Sequence, residues 1–326
     1  MNGKTLIVTT NYRAYFFDAL RAPIEINGSG YIYENIRSII AVYDKVIFFN
    51  GVPTAFLLSA PFRENTRGNT FYFLWDAMPL PGSDCEWTPL PEQLEELKKF
   101  HTVYTFQPED AIKFGLERNT TFYQPLPCPS HLSCIPWEEL PADISFLGHI
   151  KNRYRLIRLL YRRLQAMGLC CAFRVFSPET AETAAETVYT ENPPEVYTDS
   201  WCVTTEYLDY EFWLNQVFVS KAILDLNQEG QTGFSLRPME AMFYGRKLIS
   251  NNRELRFAPF YHPQNIFLLG MDSLTYLHDF LVSPPIPVPE RIKQRYLPEA
   301  WASRFADIQK KQPFGCMKHG SHYITG

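Results

Sequence analysis

No stretch of the chain approaches about 18 consecutive apolar residues, so nothing in it reads as a membrane-spanning helix. The opening residues, Met1-Asn2-Gly3-Lys4 and then Leu6-Ile7-Val8, hold too short an apolar core for a signal peptide and read as a first β-strand. The seven cysteines are odd in number, include no CxxC pair and place Cys170 beside Cys171. That pattern excludes a regular disulfide framework or zinc module and predicts reduced thiols in a cytoplasmic protein. Also missing are a GxGxxG fingerprint, a Walker GxxxxGK[ST] loop, an HExxH pair and a GxSxG elbow. These absences count against dinucleotide dehydrogenases, NTPases, metalloproteases and α/β-hydrolases. A basic excess is absent too: 31 Lys and Arg face 35 Asp and Glu, for a net charge of −4. On that ground nucleic acid is not expected among the partners.

What is present is enough chain for two cores, since 326 residues suggest two domains at about 150 residues each. Aromatic residues reach 15%, which suits either aromatic-rich cores or surfaces on which sugars stack. Short β-branched or aromatic runs alternate with helix-length amphipathic segments, the pattern of α/β domains with mostly parallel sheets. Strands are expected at 5–9, 45–49, 70–74, 102–106 and 121–124, and helices at 32–43, 91–100 and 108–114. The proline-rich stretch Pro125–Pro141 breaks the pattern and reads as an interdomain linker. Beyond it the alternation restarts, with a strand at 143–147, a turn at 148–151, a helix at 152–167 and a strand at 171–176. Further helices are expected at 211–218, 235–244 and 273–281, and strands at 221–226, 247–250 and 265–269. The division is therefore 1–130, 140–285, and a C-terminal helix with tail at 286–326.

The most informative segment runs from Lys221 to Asn252. A buried strand ends in a polar loop containing Gln231, Thr232 and Gly233, and a helix starts near Ser235. Gly230 and Gly233 let the backbone approach a ligand, and the helix N-terminus suits a phosphate. Arg237 in the first turn opposes the helix dipole unless an anion neutralises it. Glu240, three residues on, lies on about the same face and could accept bonds from ribose hydroxyls; the same spacing also suits a plain i,i+3 ion pair. A second strand–turn–helix, Asp143 to Arg155, places Gly148 where a diphosphate could approach, with Lys151, Arg153 or Arg155 supplying charge and His149 nearby. The helix beyond carries Arg155, Arg158, Arg162 and Arg163, either a solvated basic face or one resting on an anionic membrane. In the first half, Trp75-Asp76 closes a buried strand. Asp76 could be a general base or could simply cap the turn before Pro79. Asp18, Glu34 and the loop at 9–15 have similar positional claims.

These segments, "YFLWD", "VYTFQPEDAIKFGL", "DISFLGHIKNRYRLI" and "SKAILDLNQEGQTGFSLRPMEAMFYGRKLISNN", resemble bacterial glycosyltransferase-like proteins of lipopolysaccharide and capsular polysaccharide gene clusters. The most specific part is the QTG-x-x-x-R-x-x-E core, here Gln231, Thr232, Gly233, Arg237 and Glu240, although Pro238 departs from the usual run. The resemblance implies a GT-B fold: two Rossmann-like domains with parallel sheets facing an interdomain cleft, and a C-terminal helix returning to the first domain. It implies a transferase that takes a sugar from a nucleotide-sugar co-substrate, with no metal and no further cofactor. The acceptor would be a lipid-linked, lipopolysaccharide or polysaccharide chain, reached at the cytoplasmic face of the inner membrane. Gly148, Lys151, Arg153, Gln231, Thr232, Gly233, Arg237 and Glu240 would bind the donor, Glu240 through its ribose, and Asp76 would be the base. The competing expectation is a catalytically silent GT-B-like protein that binds polysaccharide or scaffolds partner enzymes.

Overall fold

The computed structural model describes residues 4–9, 24–27, 29–65, 68–78, 89–150, 153–176, 200–204, 210–228 and 230–305. Runs such as Val46-Ile47-Phe48-Phe49, and Thr70-Phe71-Tyr72-Phe73-Leu74, are buried at every position rather than at alternate ones. Strands of that kind need cover on both faces, which parallel sheets flanked by helices provide. The first half builds β1 (Thr5–Val8), β2 (Ile24–Asn27), β3 (Lys45–Phe49), β4 (Thr70–Leu74), β5 (Thr102–Thr105) and β6 (Glu117–Arg118). They lie in the order β2-β1-β3-β4-β5-β6, with every pairing parallel. The helices of this half are α1 (Ser29–Val42), the single turns α2 (Thr54–Leu57) and α3 (Ala60–Arg63), α4 (Pro91–Leu97) and α5 (Pro108–Phe114). Proline opens both α4 and α5, where its missing N–H costs nothing.

A short turn, α6 (Ser130–Ser133), lies in the proline-rich crossing segment. The second half then forms β7 (Ala142–His149), α7 (Tyr154–Ala166), β8 (Cys171–Phe176), β9 (Ser200–Thr204), α8 (Tyr210–Phe218), β10 (Ser220–Asp225), α9 (Leu236–Tyr244), β11 (Lys247–Ser250), β12 (Ile266–Leu268) and α10 (Leu277–Val282). Its strand order is β12-β11-β10-β7-β8-β9, again all parallel. On α7 the buried residues Tyr154, Ile157, Leu160, Tyr161 and Leu164 recur at helical spacing, and Arg155, Arg162 and Arg163 point outward.

Three expectations change. The segment 121–124 joins no sheet; the Tyr123 N–H instead donates to the Tyr296 carbonyl at 2.7 Å, tying the crossing segment to the C-terminal region. The turn expected at Gly148 is strand, because β7 runs through to His149 and pairs Gly148 with Val175. The long terminal helix is broken into α11 (Glu290–Lys293), a 3₁₀ turn and α12 (Pro298–Ser303), since Pro298 cannot sit in a helix interior. The last of these pieces returns to the first half. Trp301 and Phe305 are fully buried among Phe49, Phe73, Tyr104 and Phe122, with the Trp301 and Phe122 rings 4.4 Å apart. Much of the aromatic excess is thus core packing, in mutual edge and tilted contacts. Among the described residues no helix is long and apolar enough to cross a membrane.

Candidate active site

The two sheets meet at their carboxyl ends. Gln107, just beyond β5, lies against the loop that follows β10, and Leu236 at the start of α9 packs on the aromatic core of the first half. Ligands of open parallel sheets bind at such strand ends, because the loops and helix N-termini converge there.

Ser235 caps α9, its hydroxyl accepting the Arg237 N–H at 3.2 Å. Pro238 is tolerated because N–H groups in the first turn have no intrahelical partner to lose. One turn of helix then sets Arg237 beside Glu240. Arg237 Nη1 donates to both carboxylate oxygens, at 3.0 and 2.8 Å, and Nη2 donates to the Leu147 carbonyl at 3.0 Å. Glu240 is fully buried and also accepts from the Tyr210 hydroxyl at 2.9 Å and from Trp213 Nε1 at 2.8 Å. The Arg237 guanidinium lies 3.8 Å from the centre of the Trp213 ring. Burial pulls the Arg237 pKa down, but the charge and hydrogen bonds of Glu240 outweigh it, and the net shift is upward. Tyr210 is pushed well up by burial and by the same carboxylate.

Beneath this pair, Asp225 ends β10 and is buried. Its two oxygens take the Ser235 and Ser250 hydroxyls at 2.9 Å each. Burial raises its pKa, opposed by those two bonds and then by the charges of Arg237 and Arg153. Arg153, at the entry to α7, donates through Nη2 to the His149 carbonyl at 3.1 Å, and its Nε is buried with no partner. Burial lowers its pKa; Asp225 counteracts this and Arg237 adds to it. The two guanidinium groups therefore lie near enough to feel each other's charge, with Asp225 acting on both and Glu240 paired with Arg237. A buried N–H without a partner is costly, so an anionic ligand would find an attractive position here.

The remaining predicted residues divide. Gly148 lies within β7, where an added Cβ would meet the Phe146 ring at 3.0 Å, so its smallness serves packing rather than approach by a diphosphate. Gly233 makes a close approach, but to the other half of the protein. A Cβ there would lie 2.6 Å from Gln107 Oε1 and from a ring carbon of Phe106. Its N–H donates to Gln107 Oε1 at 2.6 Å, and Gln107 Nε2 donates to the Gly230 carbonyl at 2.6 Å. Thr232 donates through its hydroxyl to Glu109, and the Gln231 carbonyl accepts from Asn227. Glu240 offers no oxygen to a ribose, because the bonds from Arg237, Tyr210 and Trp213 fill its lone-pair positions. It anchors Arg237. His149 is exposed, with its ring packed 4.7 Å from Phe176. Asp18, the loop at 10–15 and Lys151 lie outside the described residues, as does the side chain of Glu34. In the first half, Asp76 is partly exposed just past β4 and accepts from Asn50 Nδ2 at 2.8 Å, while Asn50 Oδ1 accepts from the Tyr72 hydroxyl at 3.2 Å. Among the described residues no group of His, Cys, Asp or Glu is placed to hold a metal ion.

No family model and no curated protein matches the chain. Solved structures do. An alpha-glucosyltransferase in complex with UDP-glucose and DNA containing an abasic site is 11% identical, with 93% of this chain and 92% of that one covered, at a TM-score of 0.50. An alpha-glucosyltransferase with UDP and a 13-mer DNA carrying an A:G mismatch is 10% identical over 91% and 90% of the two chains, at 0.47. The fold is GT-B-like. The DNA in the first of these complexes contradicts the expectation that a chain of this fold excludes nucleic acid from its partners. The physical error lay in the premise: net charge is a sum over the whole chain, whereas a polyanion reads local groups, and arginines cluster locally here.

Several participants escaped the sequence. Gln107, Tyr210, Trp213 and Tyr123 lie far along the chain from Arg237, and no spacing rule links them to it. Asp225 carried a readable signal, an acid ending an apolar strand directly before the polar loop. So did Asn227, Asn251 and Asn252, which follow the adjacent strands β10 and β11 and brace the loop by bonding to one another and to the carbonyls of 231–233.

Proposed function

We propose that the protein is a glycosyltransferase using a nucleotide-sugar donor, with the donor diphosphate held at Arg237 and Arg153. The observation that carries this reading is the presence of two partly buried guanidinium groups, one with an unpartnered Nε, beyond the carboxyl ends of β7 and β10 in a GT-B-like fold. A leaving nucleoside diphosphate gains negative charge as its bond to the sugar breaks, and preorganised cations stabilise that charge without a metal. The acceptor hydroxyl oxygen attacks the anomeric carbon, and Asp76 takes its proton. The anomeric carbon–phosphate oxygen bond breaks, and the diphosphate departs on the arginines.

Two acceptor classes follow from different observations. The resemblance of the quoted segments to polysaccharide-cluster transferases supports a lipopolysaccharide or capsular chain, met in the cytoplasm. The DNA in the neighbouring complexes supports a nucleic acid, and so does the 3₁₀ turn Arg253–Phe257 beside the donor loop. On that turn Arg253 and Arg256 are exposed one turn apart, and Phe257 is 78% exposed beside them, a stacking ring flanked by cations. Calorimetric titration with UDP, GDP and CMP, each against its nucleoside, tests the donor site. Binding of a nucleotide but not of its nucleoside is expected; no response to any nucleotide, with a response to oligosaccharide, leaves the silent binding protein instead. Transfer of labelled sugar to core oligosaccharide and to duplex DNA, run side by side, separates the acceptors.

A further inference from the structure

We infer that Gln107 is a positioning residue through which the first half holds the loop 230–233 of the second half, which leads into the helix start carrying Arg237, in register. The link to donor binding rests on the function proposed above; the clamp itself does not. Gln107 is 1% exposed and follows β5, and its own N–H is fixed by the Thr105 hydroxyl at 3.1 Å. Its carboxamide faces two backbone groups of opposite polarity. Nε2 donates to the Gly230 carbonyl, and Oε1 accepts the Gly233 N–H, both at 2.6 Å. Only a side chain carrying a donor and an acceptor on one planar group can serve both at once. A carboxylate at the same reach can accept but not donate, and a thioether does neither usefully.

The loop is shaped to receive that group. Gly233 has no Cβ where one would strike Gln107 Oε1 and the Phe106 ring, so the two halves touch backbone to side chain with no room for another residue. Glu109 adds a second tie through the Thr232 hydroxyl, and Thr121 a third through the Phe234 carbonyl. From the other side Asn227 and Asn252 hold the Gln231, Thr232 and Gly233 carbonyls. The loop leads in two residues to Ser235, which caps α9 and accepts the Arg237 N–H. A shift of the loop is therefore a shift of the helix N-terminus that carries Arg237. The consequence is that the donor site of the second half is complete only while the first half is docked on it.

The test uses the full-length protein and the variants Gln107→Met, which keeps the length and loses both bonds, and Gln107→Glu, which keeps the acceptor alone. Amide hydrogen exchange of peptides spanning 226–236 is measured without ligand, alongside calorimetric affinity for UDP, GDP and CMP. Both variants are expected to exchange faster across this loop while the β7 and β10 peptides stay protected. Nucleotide affinity is expected to fall on the order of tenfold, more in Gln107→Glu than in Gln107→Met, since the carboxylate faces a carbonyl and a diphosphate. In turnover, the donor KM rises with kcat little changed. Unchanged loop exchange in Gln107→Met overturns the clamp. Faster exchange with unchanged nucleotide affinity overturns its role in donor binding. If the wild type binds no nucleotide, the proposed function fails, and the exchange data still decide the clamp independently.

Discussion

The carboxyl ends of the two sheets are built on opposite principles. In the second half, Arg237, Glu240, Trp213, Tyr210, Asp225 and the serines form a buried network in which most polar groups are tied to others. In the first half, Asp76 stands partly exposed on a single turn, steadied by Asn50. The network extends further into the protein. The Tyr210 hydroxyl lies 2.7 Å from that of Tyr123, which lies 2.8 Å from that of Tyr244. A buried charge must be compensated on every side or it destabilises the fold, whereas a half-exposed carboxylate keeps part of its solvation from water. The difference suits a division of labour. Under the proposed function, the donor side would present fixed charge to a leaving group, and the acceptor side would offer a base that a varied substrate can reach.

This contrast can be broken experimentally, and the largest effect should come from Arg237→Ala. Because Glu240 is fully buried, the variant loses nucleotide binding and is also destabilised, by about 3–5 kcal/mol in denaturant melts, since it strands a carboxylate in the interior. An unaltered melt would show that the pair is less enclosed than its geometry indicates. Pairing Arg237→Met with Glu240→Leu separates the two roles. Much of the lost stability should return, to within about 2 kcal/mol of wild type, while nucleotide binding stays absent.

The halves should also lose stability as pH falls, but over different windows, acidic for the first half and alkaline for the second. In the first half, burial lowers the His101 pKa from 6.5 to about 4, opposed by its bond to the Leu57 carbonyl. The folded state holds that proton more weakly than the unfolded chain. Its contribution is therefore complete above pH 6.5 and is lost as pH falls towards 4, by about 3 kcal/mol at most. In the second half, burial lowers the Lys247 pKa from 10.5 to about 8. There the folded state sheds its proton first, so stability should rise as pH climbs from 8 to 10.5. Urea melts across pH, with His101→Phe flattening the acid arm and Lys247→Met the alkaline arm, check both signs.

The smallest stability change is expected at Asp76. Asp76→Asn should melt within about 0.5 kcal/mol of wild type. Sugar transfer should nonetheless fall by at least about a hundredfold while donor affinity holds. A stable variant with full transfer would move the base elsewhere in the first half.

Much of the architecture was legible because it rests on local pattern. Fully apolar strand runs, prolines at helix starts and the strand–loop–helix around Asp225 to Tyr244 each announce themselves within a few residues. The site was legible only in part. Arg237 and Glu240 were visible as neighbours on a helix, yet which of them faces a ligand depends on Trp213 and Tyr210, brought alongside by the packing of α8 against α9. Gly233 was visible as a point of close approach, but its partner, Gln107, lies 126 residues away in the other sheet. Gly148 misled because a glycine between a strand and a helix signals a turn, whereas here it makes room for Phe146 on the same face of the strand.

By itself, then, the order of residues determined the two-sheet α/β plan, the break between the halves and the segment that would carry charge at a helix N-terminus. Each follows from short-range rules of burial, dihedral preference and capping. Only the tertiary structure decided that Arg153 and Arg237 come near enough to feel each other's charge, that Glu240 turns inward to hold Arg237, and that the loop 230–233 is gripped from the other sheet. Those outcomes depend on desolvation and on contacts between residues far apart in the chain, and no pattern within one element encodes them.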